Sequence, residues 1–218
     1  MNRIATTFIS LTAAALLSAN AHAALIDRGN GMIYDNVLDI TWLQDAKYAA
    51  TSGGYDGTMY WDEALLWVEG LEYAGFSDWR LPSANLIGDN EFSEDGSTDY
   101  GFNIHRGELG HLFYVDLQND MGIGPVNASF IDGLTGQSKS FLNLEDDSFW
   151  YSEAGVYTGW LFDYRDGLQY GDEQGDARAY AFAVRDGDVA AVPVPSAVWL
   201  LSSALIGLAG LSRRKGSR

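Results

Sequence analysis

An uncharged run of 16 residues, Ser196 to Leu211, sits between Val192-Pro193-Val194-Pro195 and Arg213-Arg214-Lys215. No other feature limits the fold as much, because a stretch without a polar face cannot lie on the surface of a water-soluble domain. Pro193 and Pro195 lack backbone N–H groups and fix φ, so they separate the run from the domain before it. As a helix the run spans about 24 Å, short of the roughly 30 Å hydrocarbon core of a bilayer. Arg213, Arg214, Lys215 and Arg218 can snorkel and hold its end on the cytoplasmic side. The run is therefore expected to be a transmembrane helix over 196–211 with a basic stop. An ordinary tail anchor would read the same way, whereas a core helix does not suit a terminal apolar run that ends in cations.

The other end reads as a secretory signal over 1–23. Arg3 forms the charged n-region, Phe8 to Leu17 the apolar h-region, and Ala21-His22-Ala23 an A-x-A site that places cleavage before Ala24. The intervening segment, 24–191, has the length of one domain with a real core. It holds all 30 acidic residues, and only 8 of the 13 basic residues, since Arg3 and four tail cations lie outside; its net charge is thus −22. Such a surface disfavours nucleic acid and anionic lipid. It suits cations or neutral sugars, and equally a solvated face that only resists aggregation. The chain has no cysteine, which excludes disulfides, a thiolate nucleophile and Cys-ligated metal. His105 and His111 are six apart and do not form the i,i+4 pair of a helical zinc site.

Periodicity predicts a helix from Trp61 to Ala74, with Trp61, Leu65, Val68 and Leu71 on one stripe and Gly75 as its C-cap. A second runs from Glu108 to Asn119, with Leu109, Leu112, Phe113 and Leu117 inward. Met32-Ile-Tyr and Ile40-Thr-Trp-Leu are short strands, and Trp160 to Tyr170 is a hairpin turning at Asp166-Gly167. Arg178 to Arg185 alternates Ala179, Ala181 and Ala183 with Tyr180, Phe182 and Val184, as in a strand covered on both faces. Helices early and antiparallel strands late predict an α+β domain.

Several residues are candidates for chemistry. Asp89, Glu91, Glu94, Asp95 and Asp99 lie in an acidic loop that could hold calcium, which takes six to eight oxygens, although the EF-hand order is missing. Asp172 to Asp176 offers a similar cluster. Trp150 and Tyr151, flanked by Asp147 and Glu153, are the candidate exposed glycan site, since aromatic faces stack on sugar rings while carboxylates accept from hydroxyls. In Asp78-Trp79-Arg80-Leu81-Pro82 the indole is expected in the core and Arg80 in an ion pair, with Asp78 two residues away. His111 reads as a satisfied structural histidine. Glu108 and His105 could form an acid–base or metal site, but the sequence supplies no further ligand. Carboxylate pairs at glycosidase distances arise by chance in so acidic a chain, so catalysis has no sequence support.

Two resemblances add to this. Val-Pro-Val-Pro-Ser-Ala-Val-Trp-Leu-Leu, with Gly-Leu-Ala-Gly-Leu and Arg-Arg-Lys after it, resembles the PEP-CTERM sorting signals, closest to their VPLPA variant, with Val194 and Ser196 as departures. The resemblance implies recognition by an exosortase-type membrane protease and a link to exopolysaccharide. The protein would be anchored in the inner membrane before processing and then reach the cell surface or extracellular matrix. The phrases Trp61-Asp-Glu-Ala, Asp78-Trp-Arg-Leu-Pro, Glu108-Leu-Gly-His-Leu-Phe-Tyr, Phe149-Trp-Tyr-Ser and Ala181-Phe-Ala-Val-Arg-Asp-Gly resemble the domain named for the C-terminal part of the Legionella collagen-like adhesin. The Arg80-Leu-Pro phrase is also similar to a motif of the formylglycine-generating enzyme superfamily. These likenesses imply a C-type-lectin-like α+β fold. Formylglycine chemistry needs cysteines and is not implied, and the acidic surface does not suit the adhesin's sulfated polysaccharide. The expectation is a non-enzymatic exported protein that binds glycan or another matrix component. A polysaccharide-acting enzyme and a purely structural matrix protein are the alternatives.

Overall fold

A computed structural model describes residues 25–53, 57–155, 159–172 and 175–189. The signal segment with Ala21, Ala23 and Ala24 lies outside the described residues. So does the tail with Val192, Pro193, Val194, Pro195, Arg213, Arg214 and Lys215. No helix among the described residues is long and apolar enough to cross a membrane.

The architecture mixes helix and sheet, and strand (32%) outweighs helix (14%), so the domain is mostly β. The chain opens with β1 (Leu25–Gly29), β2 (Met32–Asp35) and β3 (Ile40–Leu43). Helices α1 (Tyr48–Thr51) and α2 (Trp61–Glu69) follow, then β4 (Phe92–Ser93) and β5 (Tyr100–Gly101). A short α3 (Glu108–His111) runs directly into a π-helical turn, Leu112–Asp116. Next come β6 (Ser129–Ile131), β7 (Ser138–Ser140), β8 (Ser148–Ala154), β9 (Gly159–Asp163), β10 (Leu168–Gly171) and β11 (Val184–Asp186). One sheet has the order β1-β2-β3-β11, a second β4-β5-β10-β9-β8, and β6 pairs with β7 alone. The last strand thus returns to the first sheet and closes it against β3.

The expected hairpin is β9 and β10, with Leu168 opposite Asp163 and Gly167 at φ +84°, which a side chain would strain. Both early strands form as β2 and β3. The helix expected over Trp61–Ala74 stops at Glu69. Gly70 caps it, and Ala74 and Gly75, both at positive φ, instead form the turn that joins Tyr73 to Phe76. At its start, the Tyr60 N–H donates to the Glu63 carboxylate at 2.9 Å, one half of a capping box.

The alternating segment Arg178 to Arg185 keeps its two faces but is not one strand. Ala179 exchanges hydrogen bonds with Met59, Tyr180 bonds to Ser148 and Trp150, and Val184 to Arg80. The chain changes partner as it crosses between the sheets, so only Val184–Asp186 keeps a ladder. Its faces still divide the interior. Ala179, Ala181 and Ala183 pack with Met59, Trp79, Leu81, Trp150 and Leu161. Phe182 and Val184 pack with Trp42, Leu109, Phe113, Phe149, Tyr151 and Phe162. Each such large side chain contributes about 1.5–3 kcal/mol when fully buried. The alternation of β8 and β9 feeds the same two clusters, which holds both sheets in one core.

Candidate functional site

The Asp78-to-Pro82 phrase is a clasp. The Arg80 backbone exchanges hydrogen bonds with Val184 at 2.7 and 2.9 Å. Arg185 donates twice to Asp78, at 2.8 Å each, and stacks on Phe76 with 4.2 Å to the ring centre. Arg80 donates to both oxygens of Glu108, at 2.8 and 2.7 Å, and to Asp186 at 2.6 Å. Its partners are therefore Glu108 and Asp186, and Asp78 belongs to Arg185. Burial alone would lower the Arg80 pKa, but the carboxylates beside it hold it above the usual value. Trp79 and Leu81 are core, as expected, and Pro82 is buried beside them. Glu108, occupied by Arg80 and the Ser83 N–H, is not available to His105, whose ring lies 4.9 Å from that of Tyr114.

The candidate glycan site at Trp150 and Tyr151 is overturned. Both rings have 0% exposure, because both faces of β8 are covered. The Trp150 indole N–H donates to the Met59 carbonyl at 2.9 Å, and Tyr151 Oη accepts from the Gly110 N–H at 3.2 Å. Asp147 pairs with Lys47. Glu153 accepts from Ser83 Oγ at 2.5 Å and the Ala84 N–H at 2.8 Å, which fixes the turn after Pro82.

The acidic loop also fails as a set of calcium ligands. Asp99 is fully buried, and its carboxylate accepts from the N–H groups of Ile87, Gly88 and Asp89 and from Arg106. Burial would raise its pKa, but the Ile87 N–H, Arg106 and the other donors outweigh that and hold it below 3.8. Asp89 and Asp95 close small turns onto Glu91 and Ser97, and Glu91 and Glu94 are exposed. Among the described residues no three of these five carboxylates converge as ligands.

The loop that Asp99 anchors forms one wall of a groove of about 710 Å³ over β5, β9 and β10. Tyr100, Trp160 and Tyr170 supply aromatic surface, Leu86 and Leu168 aliphatic surface, and Asn90, Asp172 and Asp176 polar atoms. Burial raises the Tyr170 pKa, with a hydrogen bond to Ser148 opposing it. The sequence held one signal for this site. In β10 the polar Gln169 is fully buried, donating to the Asp99 carbonyl at 2.9 Å, while Leu168 and Tyr170 line the open groove. With its polar residue inward, the strand turns its apolar pair toward the groove.

Among the described residues every lysine and arginine already has an acidic, carbonyl or aromatic partner. Arg28, Lys47, Arg80, Arg106, Lys139, Arg165 and Arg185 are in ion pairs. Arg178, the eighth, donates to the Thr58 carbonyl and lies over the Tyr60 ring. Comparison of the chain with protein-family models, curated proteins and solved structures finds no match.

Proposed function

We propose that this chain is an exported, non-enzymatic protein of the cell surface or extracellular matrix whose domain binds a neutral glycan. The observation that carries this is the groove, where Tyr100, Trp160 and Tyr170 meet the Asn90 amide and the carboxylates of Asp172 and Asp176, with no cation in the lining. Aromatic faces pack on the C–H faces of sugar rings, and the polar atoms accept from hydroxyls. The committed cations and the charge of −22 argue against sulfated polymers. The sequence features at either end support delivery. The A-x-A site before Ala24 would release the domain outside the cytoplasm, and the Val192-to-Lys215 tail would present it to an exosortase-type protease. A C-type-lectin-like arrangement is consistent with two sheets closed by a returning terminal strand, and is part of this reading.

Binding of the full-length chain to the producing organism's exopolysaccharide tests it, with calcium and with chelator. Saturable binding that falls about tenfold in Tyr100→Ala and Tyr170→Ala, equivalent to about 1.4 kcal/mol, supports the groove. Binding that persists in chelator agrees with the spent acidic loop. No binding by the folded chain, or full binding by both variants, would sink the reading.

A further inference from the structure

We propose that Asp35, His111 and Asp116 form a site for one divalent transition-metal ion, of the zinc or manganese class, that ties the first sheet to the helical segment. The three side chains come from different places, Asp35 from the end of β2 and the other two from either end of the π-turn. Each offers one ligand atom, and these atoms lie within 4.8 Å of one another. His111 Nε2 and Asp116 Oδ2 are 3.8 Å apart. Ligands at about 2.0–2.1 Å around a tetrahedral ion sit roughly 3.3 Å from each other, so binding draws the histidine and Asp116 together by about 0.5 Å and the widest pair by up to about 1.5 Å, the latter a movement of side chains and not of the fold.

Three independent observations point inward to a ligand. First, Asp35 Oδ2, His111 Nε2 and Asp116 Oδ2 are all buried and accept or donate no hydrogen bond as two carboxylates and an imidazole; Asp35 and Asp116 lie within hydrogen-bond reach of each other, so without an ion only a shared proton satisfies them. Asp35 is fully buried, and the Asp116 side chain is 2% exposed. An unpaired buried carboxylate costs several kcal/mol, and the eight cations of the domain are all engaged elsewhere. Second, the groups around the three atoms hold them in ligating orientation. The other oxygen of Asp35 accepts from the N–H groups of Val37 and Leu38, at 2.8 and 3.0 Å. The His111 ring bonds to the backbone of His105, which leaves Nε2 as the free nitrogen. Metal-ligating histidines are oriented in this way. Third, the helix is altered where the site needs it. On an α-helix, residues five apart point about 140° away from each other. The π-turn between His111 and Asp116 brings them back to one face, and such turns are rare and concentrate at functional sites.

The donor set selects the ion. One imidazole with two carboxylates suits zinc, manganese or iron(II), whereas calcium requires six to eight oxygens. With three protein ligands and deep burial, the ion acts as a cross-link, and its two positive charges balance the two carboxylates.

The test uses untagged full-length chain, stripped with chelator and titrated with zinc, manganese or calcium chloride, with metal content and melting temperature as readouts. One zinc or manganese ion per chain and a melting temperature several degrees higher are expected. Calcium should have no effect, and affinity should fall about 100-fold in His111→Gln and Asp116→Asn, on the scale of losing a metal ligand or its support. His105→Gln should bind as the parent does. Substoichiometric metal, or parental binding by both ligand variants, overturns the proposal. If the variants do not fold, cobalt(II) loaded into the parent decides. Visible absorption of a four- or five-coordinate ion supports the site, and the spectrum of hydrated cobalt overturns it.

Discussion

Asp78 and Arg185, 107 positions apart, share two hydrogen bonds of 2.8 Å. Beside them Arg80 reaches Asp186 and Glu108, so two phrases far apart in the chain are stitched by alternating charge. The two halves of this clasp differ in burial, and that sets their worth. The Asp78 side chain is 59% exposed and that of Glu108 14%. Asp78→Asn should cost about 1 kcal/mol, as for a partly solvated pair. Glu108→Gln leaves Arg80 and the Ser83 N–H short of an acceptor and should cost about 2–3 kcal/mol. Urea unfolding of the two variants gives the comparison, and equal costs would contradict it.

Gly110 has no room for a side chain. An added Cβ would lie 2.0 Å from the Ile104 carbonyl oxygen, which is backbone and cannot swing aside. Gly110→Ala should therefore destabilise by about 3 kcal/mol, against the gain of a few tenths to 1 kcal/mol expected of the same change in a free helix. A shift in the urea midpoint of the opposite sign would show that α3 can move.

Trp150 is a core residue, so its removal should act on stability and not selectively on ligand. Trp150→Ala should cost about 3–5 kcal/mol through the lost packing against Ala181 and Leu161 and the lost bond to Met59. Acrylamide quenching of single-tryptophan variants is the direct check, with Trp150 quenched less than Trp67, which lies half-buried on α2.

Asp99 predicts an acid limb. Its folded pKa lies below 3.8, so its contribution is fully present above the unfolded value and is lost as pH falls through the folded one. Asp99→Asn should be less stable than the parent at neutral pH, and the difference should shrink only below about pH 4. The variant also serves as a control on the self-repulsion of the acidic surface, which both proteins share. A difference that stays constant down to pH 2 would mean that the loop is held by its backbone alone.

The local pattern of this chain decided a good deal. Asp166-Gly167 fixed the β9–β10 turn, because glycine alone takes φ +84° at no cost. The alternation of small and large residues from Ala179 to Val184 set which side of the crossing segment faces which cluster, because a period of two survives a change of hydrogen-bond partner. Charge and composition, which need no coordinates, removed disulfide, thiolate and polyanion readings. Tertiary structure decided the rest. Arg80 has Asp78 near it in sequence yet pairs with Glu108 and Asp186, since the return of β11 sets the partners. Trp150 and Tyr151 look like a ligand platform in sequence, and are core only because both faces of β8 are covered. Asp35, His111 and Asp116 have no readable spacing. Their convergence depends on a π-turn and on packing between segments more than 70 residues apart (Asp35 to His111), which no local pattern encodes.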